Sequence, residues 1–163
     1  MNELIKNIHI LVVDDNKENL RVVSNFLKTK GYNITLALDG NEAINIARDE
    51  KIDLILLDVM MPMFDGYDTC KILKEEKELK DIPVIFLTAK TETEDIVKGF
   101  NAGAVDYITK PFNKEELFAR VNCHIELKLI RDYLKTQLLN HKDSGNSMMK
   151  MLLDFGKKIN PNG

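Results

Sequence analysis

The sequence predicts an α/β domain with a doubly wound, five-stranded parallel sheet, and two observations lead to this fold class. Apolar runs of strand length alternate with segments of helical period, which indicates repeated strand–helix units. The runs are apolar along most of their length, which indicates strands that are buried on both sides. Strands joined by helical crossovers are buried in this way when they form a parallel sheet with helices on both faces. The five runs are residues 8–13, 33–38, 54–58, 83–88 and 104–109.

The first helix is predicted within residues 17–31. Leu20, Val23 and Leu27 recur there at the spacing of one helix face, and Gly31 supplies a stop. This pattern is typical of an amphipathic helix that packs on a sheet.

Aspartate and glycine mark the ends of the next three helices. Asp39-Gly40 and Asp65-Gly66 turn the chain into the second and third helices, and Gly103 ends the fourth. Turn chemistry therefore supports the same order of elements as the periodicity does.

The fifth helix starts near Lys114 and runs past the expected end of the domain. Four residues follow one another there at spacings of four, three and four, which is the pattern of a coiled-coil seam, although they span fewer than the three or four heptads that establish one. They are Cys123, Leu127, Ile130 and Leu134. We expect an extended C-terminal helix that either pairs two chains in parallel or stands alone and frays.

Two regions follow from this pattern, a folded domain over residues 1–128 and an extended helix and linker over residues 129–163. Residues 141–148 are polar, with a Gly and two Ser as in a linker, and residues 148–156 form a short apolar cluster. The abrupt end favours a fragment that leads into an output domain over a stand-alone protein.

Composition and charge exclude several classes of protein. The net charge of the 163 residues is −3, and the mildly basic residues 113–163 lack the interleaved aromatics of a nucleic-acid surface. The chain has no apolar stretch near the roughly 18 residues of a spanning helix, so we expect a cytoplasmic protein without membrane or direct nucleic-acid contact. Cys70 and Cys123 lie outside any CxxC pair, so neither a disulfide framework nor a zinc site is expected.

Polar side chains stand where the predicted strands end. They are Asp14 and Asp15 after the first strand, Asp58 on the third, Thr88 on the fourth and Lys110 after the fifth. Ligands of open parallel sheets bind outside the carboxyl ends of the strands. Three carboxylates, one hydroxyl and one amine are therefore predicted at one edge of the sheet.

This set of groups points to a metal and to phosphoryl transfer. The carboxylates repel one another by about 4 kcal/mol per pair at an effective dielectric constant of about 20, so they need a cation. Oxygen ligands without nearby His or Cys favour Mg²⁺, or Mn²⁺, over zinc. Asp58 would then accept a phosphoryl group, Lys110 would offset its charge, and Thr88 would donate a hydrogen bond to it.

Four segments together resemble the receiver domain of bacterial two-component response regulators: LVVDDN, LILLDVMMPMFDGYD, VIFLTAK and AGAVDYITKPF. The resemblance covers roughly residues 7–128. It implies a flavodoxin-like (βα)5 fold with strand order 2-1-3-4-5 and a phosphohistidine donor on a histidine kinase or phosphotransfer protein. It also implies a signalling protein that catalyses only its own phosphorylation and dephosphorylation, rather than an enzyme with an external substrate.

The resemblance assigns roles around the metal. It implies that Asp58 is the phosphoacceptor and that Asp15, Asp58 and the backbone carbonyl of Met60 bind Mg²⁺ directly, while Asp14 acts largely through water. The residues at Met60 and Lys90 would tune the lifetime of the aspartyl phosphate.

The resemblance also implies a switch. Thr88 would be drawn to the phosphate, and the ring of Tyr107 would turn inward. Lys110 would contact the phosphate, and its peptide bond to Pro111 would be cis. The face of the fourth helix, fifth strand and fifth helix would then change shape or partner, with a homodimer through this face and the C-terminal helix as one outcome. Kinase specificity would reside in surface residues of the first helix, such as Asn19, Val22, Val23 and Phe26.

Two other classes fit part of the pattern. A flavin or dinucleotide module would need a Gly- or Ser/Thr-rich phosphate loop after the first strand, where this chain has acids. A Mg²⁺-dependent aspartyl-phosphate phosphohydrolase would need a second acid two residues after its nucleophile, where this chain has Met60. The phosphoacceptor switch is therefore the predicted function, and the phosphohydrolase is the alternative.

Overall fold

The structure is a computed structural model that describes residues 7–89 and 92–140. Five parallel strands form one sheet in the order β2-β1-β3-β4-β5. Their bounds are β1 (His9–Val13), β2 (Asn33–Ala37), β3 (Leu54–Asp58), β4 (Val84–Thr88) and β5 (Asp106–Thr109). The predicted fold class and strand order are confirmed.

Five helices alternate with the strands and cover both faces of the sheet. They are α1 (Lys17–Lys28), α2 (Gly40–Asp49), α3 (Gly66–Glu75), α4 (Thr93–Asn101) and α5 (Lys114–Asn140). Two hydrophobic clusters result, one between the sheet and α2 and α3, the other between the sheet and α1 and α5. All five residues of β3 and of β4 are buried, because each strand lies between two others and under both layers of helices.

Side-chain caps explain why helices begin where they do. Asn16, Asp39 and Asp65 precede α1, α2 and α3, and the side chain of each accepts a hydrogen bond from a backbone N–H of the first turn. Gly31 and Gly103, with φ of 87° and 103°, follow the ends of α1 and α4 in the left-handed conformation that glycine adopts most readily. The predicted helix boundaries at these positions are confirmed.

The fifth strand is shorter than the apolar run predicted for residues 104–109. Ala104 N–H still bonds back to the carbonyl of Gly99 and completes the end of α4. Only after Val105 N–H bonds to the carbonyl of Val84 does the chain enter the sheet, at Asp106. The helix ending therefore takes up Ala104, and Val105 contacts β4 without being part of β5.

Helix α5 is 27 residues long, and its first half packs on the sheet through Leu117, Val121 and Ile125. Cys123 and Leu127 lie on another face of the helix and are exposed. The predicted extended helix is confirmed as far as Asn140, and it continues without a break across residue 128. The predicted linker and apolar cluster lie outside the described residues. Within the described residues, none of the helices combines the length and apolarity needed to cross a membrane.

The second half of α5 is held to the opposite edge of the sheet from the strand ends that carry the acids. Lys128 Nζ lies 3.1 Å from Oδ1 of Asp53, a carboxylate that is 5% exposed just before β3. Lys135 Nζ lies 2.6 Å from Oδ2 of Asp81, and Arg131 donates to the carbonyl of Asp81. The extension is therefore attached to the domain and has a defined orientation.

Candidate phosphoacceptor site

The acids predicted at the strand ends come together in the structure. One carboxylate oxygen from each of Asp14, Asp15 and Asp58 can be chosen so that the three lie within 4.8 Å of one another. The strand order makes this possible, because β1 and β3 are neighbours and Val13 pairs with Leu57. Asp14 and Asp58 are buried, and Asp15 is exposed, so the cluster opens to solvent on one side.

Asp14 is held by hydrogen bonds from two directions. Its Oδ1 accepts from Asn16 N–H at 2.9 Å, and its Oδ2 accepts from Asn19 Nδ2 at 3.0 Å. Lys110 Nζ donates to the same Oδ2 at 2.8 Å. A carboxylate that is only 1% exposed needs such partners, because burial without them costs several kcal/mol.

Asp58 occupies the last position of β3 and is 3% exposed. Its Oδ1 lies 3.0 Å from Lys110 Nζ and accepts a hydrogen bond from Met60 N–H at 3.2 Å. Burial and the nearby carboxylate of Asp14 raise the pKa of Asp58, and they outweigh the opposite effect of Lys110. The ionised form of Asp58 is thus destabilised in the protein alone, and a further cation at the cluster would stabilise it.

Lys110 reaches this cluster from the end of β5 through a short turn. Its backbone N–H donates to the carbonyl of Thr88 at 2.8 Å, and its peptide bond to Pro111 is cis, as predicted. Burial lowers the pKa of Lys110, but hydrogen bonds and charge interactions with Asp14 and Asp58 outweigh it, so the net pKa is raised. The ammonium group therefore stays charged at neutral pH.

Thr88 and Tyr107, the predicted switch residues, lie on the adjacent strands β4 and β5. Thr88 is 5% exposed at the end of β4, and Tyr107 is half-buried in β5. Both line a cavity of about 10 Å³, room for about one water molecule, between the sheet and α4. The Tyr107 ring packs edge-to-face on Phe100 of α4, with ring centroids 6.3 Å apart.

The loop after Asp58 contains a close backbone approach. Gly66 N–H bonds to the carbonyl of Val59, and a Cβ on Gly66 would lie 2.2 Å from the carbonyl oxygen of Asp58. Only glycine fits there, so Gly66 positions the phosphoacceptor backbone while it starts α3. Met63 in the same loop has φ of 67° and is fully exposed, and the Met60 side chain is 58% exposed beside the site.

The structure brings Asp14, Asp15, Asp58 and Lys110 together, whereas one residue predicted at the surface is buried. Val23, predicted as part of the kinase-specificity surface, is fully buried against the sheet, because it shares the inner face of α1 with Leu20 and Leu27. Asn19 does contact the site, through Asp14, a role that no motif indicated. Lys90 lies outside the described residues.

Comparison with known proteins decides the family. The model of the response regulator receiver domain matches residues 10–122. The chain belongs to this family. Receiver domains are signalling domains of two-component systems, they bind Mg²⁺ in an acidic site, and they work with histidine kinases or phosphotransfer proteins.

Curated relatives of this receiver are longer proteins. The chain is 42% identical over 123 residues to the transcriptional regulatory protein YvrH of Bacillus subtilis, and 46% identical over 115 residues to the alkaline phosphatase synthesis transcriptional regulatory protein PhoP of the same organism. The alignments cover 75% and 71% of this chain but 51% and 47% of those relatives. The chain thus spans about half the length of these two proteins.

Solved receiver structures have the same fold. The receiver domain of the sensor histidine kinase PA1611 from Pseudomonas aeruginosa, determined with a magnesium ion coordinated in its active site cleft, superposes with a TM-score of 0.68 at 34% identity. That match covers 73% of this chain and 98% of the other. A Francisella response regulator receiver domain matches with the same TM-score at 37% identity, over 74% of this chain and 98% of its own.

Proposed function

We propose that this receiver accepts a phosphoryl group on Asp58 from a phosphohistidine of a histidine kinase or phosphotransfer protein, with Mg²⁺ as cofactor. The observation that carries the proposal is the environment of Asp58. A carboxylate with a raised pKa lies 3.0 Å from a lysine ammonium and beside two further acids. Such a cluster favours binding of a cation and then of an anionic group.

The donor set fits Mg²⁺ because it consists of hard oxygen ligands at an edge open to solvent. Asp15 and Asp58 would hold the ion directly with the carbonyl of Met60, and Asp14 would act mainly through water. Bound there, Mg²⁺ supplies charge neutralisation for the phosphoryl oxygens. Mn²⁺ is an alternative, because it accepts the same ligand type.

The proposed transfer balances without an additional reactant. A carboxylate oxygen of Asp58 forms the new bond to phosphorus as the phosphorus–nitrogen bond of the donor breaks, and the imidazole leaves with the bonding electrons. The ammonium of Lys110 lies 3.0 Å from Asp58, and after the transfer it would contact the phosphoryl oxygens, which carry the negative charge. Thr88 would donate its hydroxyl to one of those oxygens.

We further propose that the signal passes from Thr88 to Tyr107 and leaves through the face formed by α4, β5 and α5. Contacts between β5 and α5 support this route. Arg120 of α5 donates to Asp106 at 2.9 Å and lies over the Tyr107 ring at 5.6 Å, while His124 lies 3.0 Å from the other Asp106 oxygen. A movement of Tyr107 therefore changes a contact that helps position α5.

Partner contacts form a further part of the proposal. Asn19, Val22 and Phe26 of α1, which remain at least partly exposed, would contribute to kinase recognition, and two chains would pair through the α4–β5–α5 face and the C-terminal helix. Val97 and Phe100 expose about half of their surfaces on that face. A cytoplasmic location and an output domain after this chain stay predictions from the sequence.

The phosphohydrolase alternative has less support. Such an enzyme needs an acid two residues beyond the nucleophile to protonate a leaving group, and Met60 stands there with its side chain directed into solvent. A receiver that turns over only its own phosphate is therefore preferred. Release of phosphate from an added small phosphoester, in excess over the amount of protein, would reverse this preference.

Labelling of the chain with acetyl phosphate and Mg²⁺ tests the proposal. One phosphoryl group should be incorporated on Asp58, and Asp58→Asn should abolish the label. Asp68→Asn, which changes an exposed acid on α3, should label like the natural chain. Undiminished labelling of Asp58→Asn, or no labelling of the natural chain with either acetyl phosphate or a phosphorylated histidine kinase, would refute the assignment.

A further inference from the structure

Strand β2 forms one edge of the sheet and has an open outer side. It pairs with β1, and the described part of the chain places no strand on its other side. Asn33 N–H donates to the carbonyl of Ile8, which shows that Asn33 directs its backbone groups at β1. Because these directions alternate along a strand, the N–H and C=O groups of Ile34 and Leu36 point away from β1. The edge therefore presents a row of backbone donors and acceptors.

This edge lacks the usual protection against an added strand. Proteins commonly protect an edge with charged residues, proline or a bulge. Residues 33–38, NITLAL, contain neither a charged residue nor proline, and β2 pairs with β1 without a bulge. Leu36 and Leu38 are each 40% exposed. The edge thus offers both backbone and apolar contacts to an extended segment.

A groove lies between this edge and α1, and we call it the α1–β2 groove. Leu36 and Leu38 line it from the sheet side, and its volume is about 460 Å³. Leu20 and Ser24 of α1, which are 4% and 3% exposed, also line it. The groove therefore has an apolar lining and room for the side chains of a short peptide segment.

The α1 rim of the groove is cationic. Lys17, Arg21 and Lys28 line it and are exposed. Arg21 pairs with Glu18 at 2.7 Å, whereas Lys17 and Lys28 form no ion pair with a residue that the structure describes. Glu42, the acid in the lining, already accepts a backbone N–H at 2.7 Å. The rim therefore has positive charge available for an acidic ligand.

We propose that the α1–β2 groove binds an acidic, extended segment of a partner protein, which adds to β2 as a sixth strand. The backbone of the segment would bond to Ile34 and Leu36, and its apolar side chains would cover Leu36 and Leu38. Its carboxylates would meet Lys17 and Lys28. Backbone pairing supplies affinity in such a complex, and the charges supply selectivity.

The spacing of the cations defines the segment further. Lys17 and Lys28 are eleven residues apart in α1, which corresponds to about 16 Å along the helix. An extended chain covers this distance in about five residues. The segment should therefore carry Asp or Glu at both ends of a stretch of about five to seven residues, with apolar residues at alternate positions between them.

Charge disfavours two other occupants of the groove. Antiparallel pairing of β2 with β2 of a second copy would bring the two cationic α1 rims together, and like charges repel. Residues 141–163 of this chain include an apolar cluster, but they carry four Lys and two Asp and are therefore basic. An acidic segment of another protein fits the rim better than either.

The groove is separate from the surfaces of the proposed function. Phe26, on the side of α1 proposed for kinase recognition, packs towards α5 and has Lys114 Nζ 5.7 Å from its ring centroid. Neither Phe26 nor Asp58 lines the groove. The inference therefore goes beyond the phosphoacceptor function and does not depend on it.

A designed peptide tests the binding. The probe is Ser-Glu-Thr-Val-Thr-Val-Thr-Glu-Ser, blocked at both ends and labelled with fluorescein, in which the two Glu and two Val share one face of a strand. Its fluorescence anisotropy is measured while the full chain is added. We expect saturable binding that weakens as the salt concentration rises, and about tenfold weaker binding when Lys replaces both Glu. A lack of saturable binding up to about 1 mM protein would overturn the proposal.

Charge variants of α1 locate the binding site. Lys28→Glu should weaken binding of the acidic peptide about fivefold and strengthen binding of the Lys peptide. Lys30→Glu is the matched control, because Lys30 lies at the same end of α1 but places its Nζ 5.0 Å from the Phe118 ring of α5, outside the groove. It should bind both peptides like the natural chain. Equal affinities of Lys28→Glu and the natural chain for the acidic peptide would contradict the proposal.

Backbone variants test strand addition. Leu36→Pro removes the outward N–H, a change that an edge strand tolerates, and should weaken binding about tenfold or more. Leu36→Thr keeps this N–H and removes only apolar contact, so it should weaken binding about threefold. Circular dichroism and urea unfolding check that both variants fold. Equal effects of the two substitutions would show that the peptide does not add as a strand.

Backbone methylation of the peptide gives the same test on the natural chain. One peptide carries N-methyl groups on residues 4 and 6, and the other carries them on residues 5 and 7. Only one of these two sets of N–H groups faces β2 in an added strand, because successive N–H groups point in opposite directions. One peptide should therefore lose binding while the other keeps it, and equal binding of both would refute strand addition.

Two further results would assign the groove to another occupant and overturn the proposal. One is tighter binding of a peptide of residues 141–163 than of the acidic peptide. The other is a dimer of the natural chain in sedimentation that Leu36→Pro converts to a monomer. Asp58→Asn should bind the acidic peptide like the natural chain, so a failure of Asp58 labelling would leave this inference intact.

Discussion

Lys110 Nζ lies 3.0 Å from Oδ1 of Asp58, and the same ammonium lies 2.8 Å from Oδ2 of Asp14. One lysine from the end of β5 thus bridges carboxylates at the ends of β3 and β1. The contact stabilises the charges of these two buried carboxylates in the absence of phosphate. It also places a positive charge where a phosphoryl group on Asp58 would develop negative charge.

Lys110→Met should slow phosphorylation by acetyl phosphate about a hundredfold, because a charged donor to the phosphoryl oxygens is lost. Labelling of Asp58 over time measures the rate. Lys71→Met, which removes a half-exposed lysine from α3, should have no effect. Labelling of Lys110→Met at the natural rate would show that this ammonium has no part in the transfer.

The raised pKa of Asp58 predicts a pH-dependent cost in stability. An acid with a higher pKa in the folded than in the unfolded state binds more protons when folded, so stability falls as the pH rises through that range. At neutral pH and without Mg²⁺, Asp58→Asn should therefore raise the free energy of unfolding by about 1 kcal/mol. The gain should shrink as the pH is lowered and the natural carboxyl becomes protonated.

Urea unfolding of both chains at several pH values measures this difference. Mg²⁺ should stabilise the natural chain more than the variant, since binding to the folded state adds to its stability. Glu78→Gln, at an exposed loop position, should show neither effect. A variant that is less stable than the natural chain at neutral pH would contradict the electrostatic account of the site.

Gly66→Ala tests the close approach behind the phosphoacceptor. The new Cβ would lie 2.2 Å from the carbonyl oxygen of Asp58 and 2.9 Å from Cα of Val59, both of which are backbone atoms. We expect a loss of about 3 kcal/mol in the free energy of unfolding and slower labelling of Asp58, because the strand end must shift.

Gly99→Ala is the matched comparison for this substitution. Its Cβ would lie 3.0 Å from the ring of Phe86, a side chain rather than backbone, and alanine favours the helix more than glycine does. The substitution should cost clearly less than Gly66→Ala. Equal losses in Gly66→Ala and Gly99→Ala would mean that the backbone contact at Asp58 is not the cause.

The anchors of α5 should differ in strength according to burial. Lys128→Met leaves the buried carboxylate of Asp53 without its ammonium partner and should cost about 3 kcal/mol or more. Lys135→Met removes a pair in which both side chains are about half exposed, and should cost less than about 1 kcal/mol. Thermal unfolding of the two variants gives the comparison.

The combined variant Lys128→Met with Asp53→Asn provides the check on this explanation. It removes the uncompensated buried charge, so it should be more stable than Lys128→Met alone. If the combined variant is the less stable of the two, packing of the lysine stem rather than charge holds the helix.

Sequence reasoning located the elements because their signals are local. Period, apolar runs and capping residues such as Asp39 and Asp65 act within a few positions, and the strands begin and end within two residues of the predicted runs. The carboxyl ends of parallel strands share one edge, so the convergence of Asp14 and Asp58 also followed from pattern alone. The surface prediction for Val23 was wrong because its spacing from Leu20 and Leu27 places it on the face of α1 that packs on the sheet.

By itself, the sequence determined the fold class, the family and the set of reactive groups, since these follow from composition along the chain and from motifs. Only the tertiary structure decided that Lys110 bridges Asp58 and Asp14. It also decided that the backbone of Gly66 lies close to the carbonyl of Asp58. The buried pair of Asp53 and Lys128 is the third such contact. Each of these contacts joins segments distant in sequence or depends on separations of a few tenths of an ångström. Chain packing, which no local pattern encodes, sets such distances.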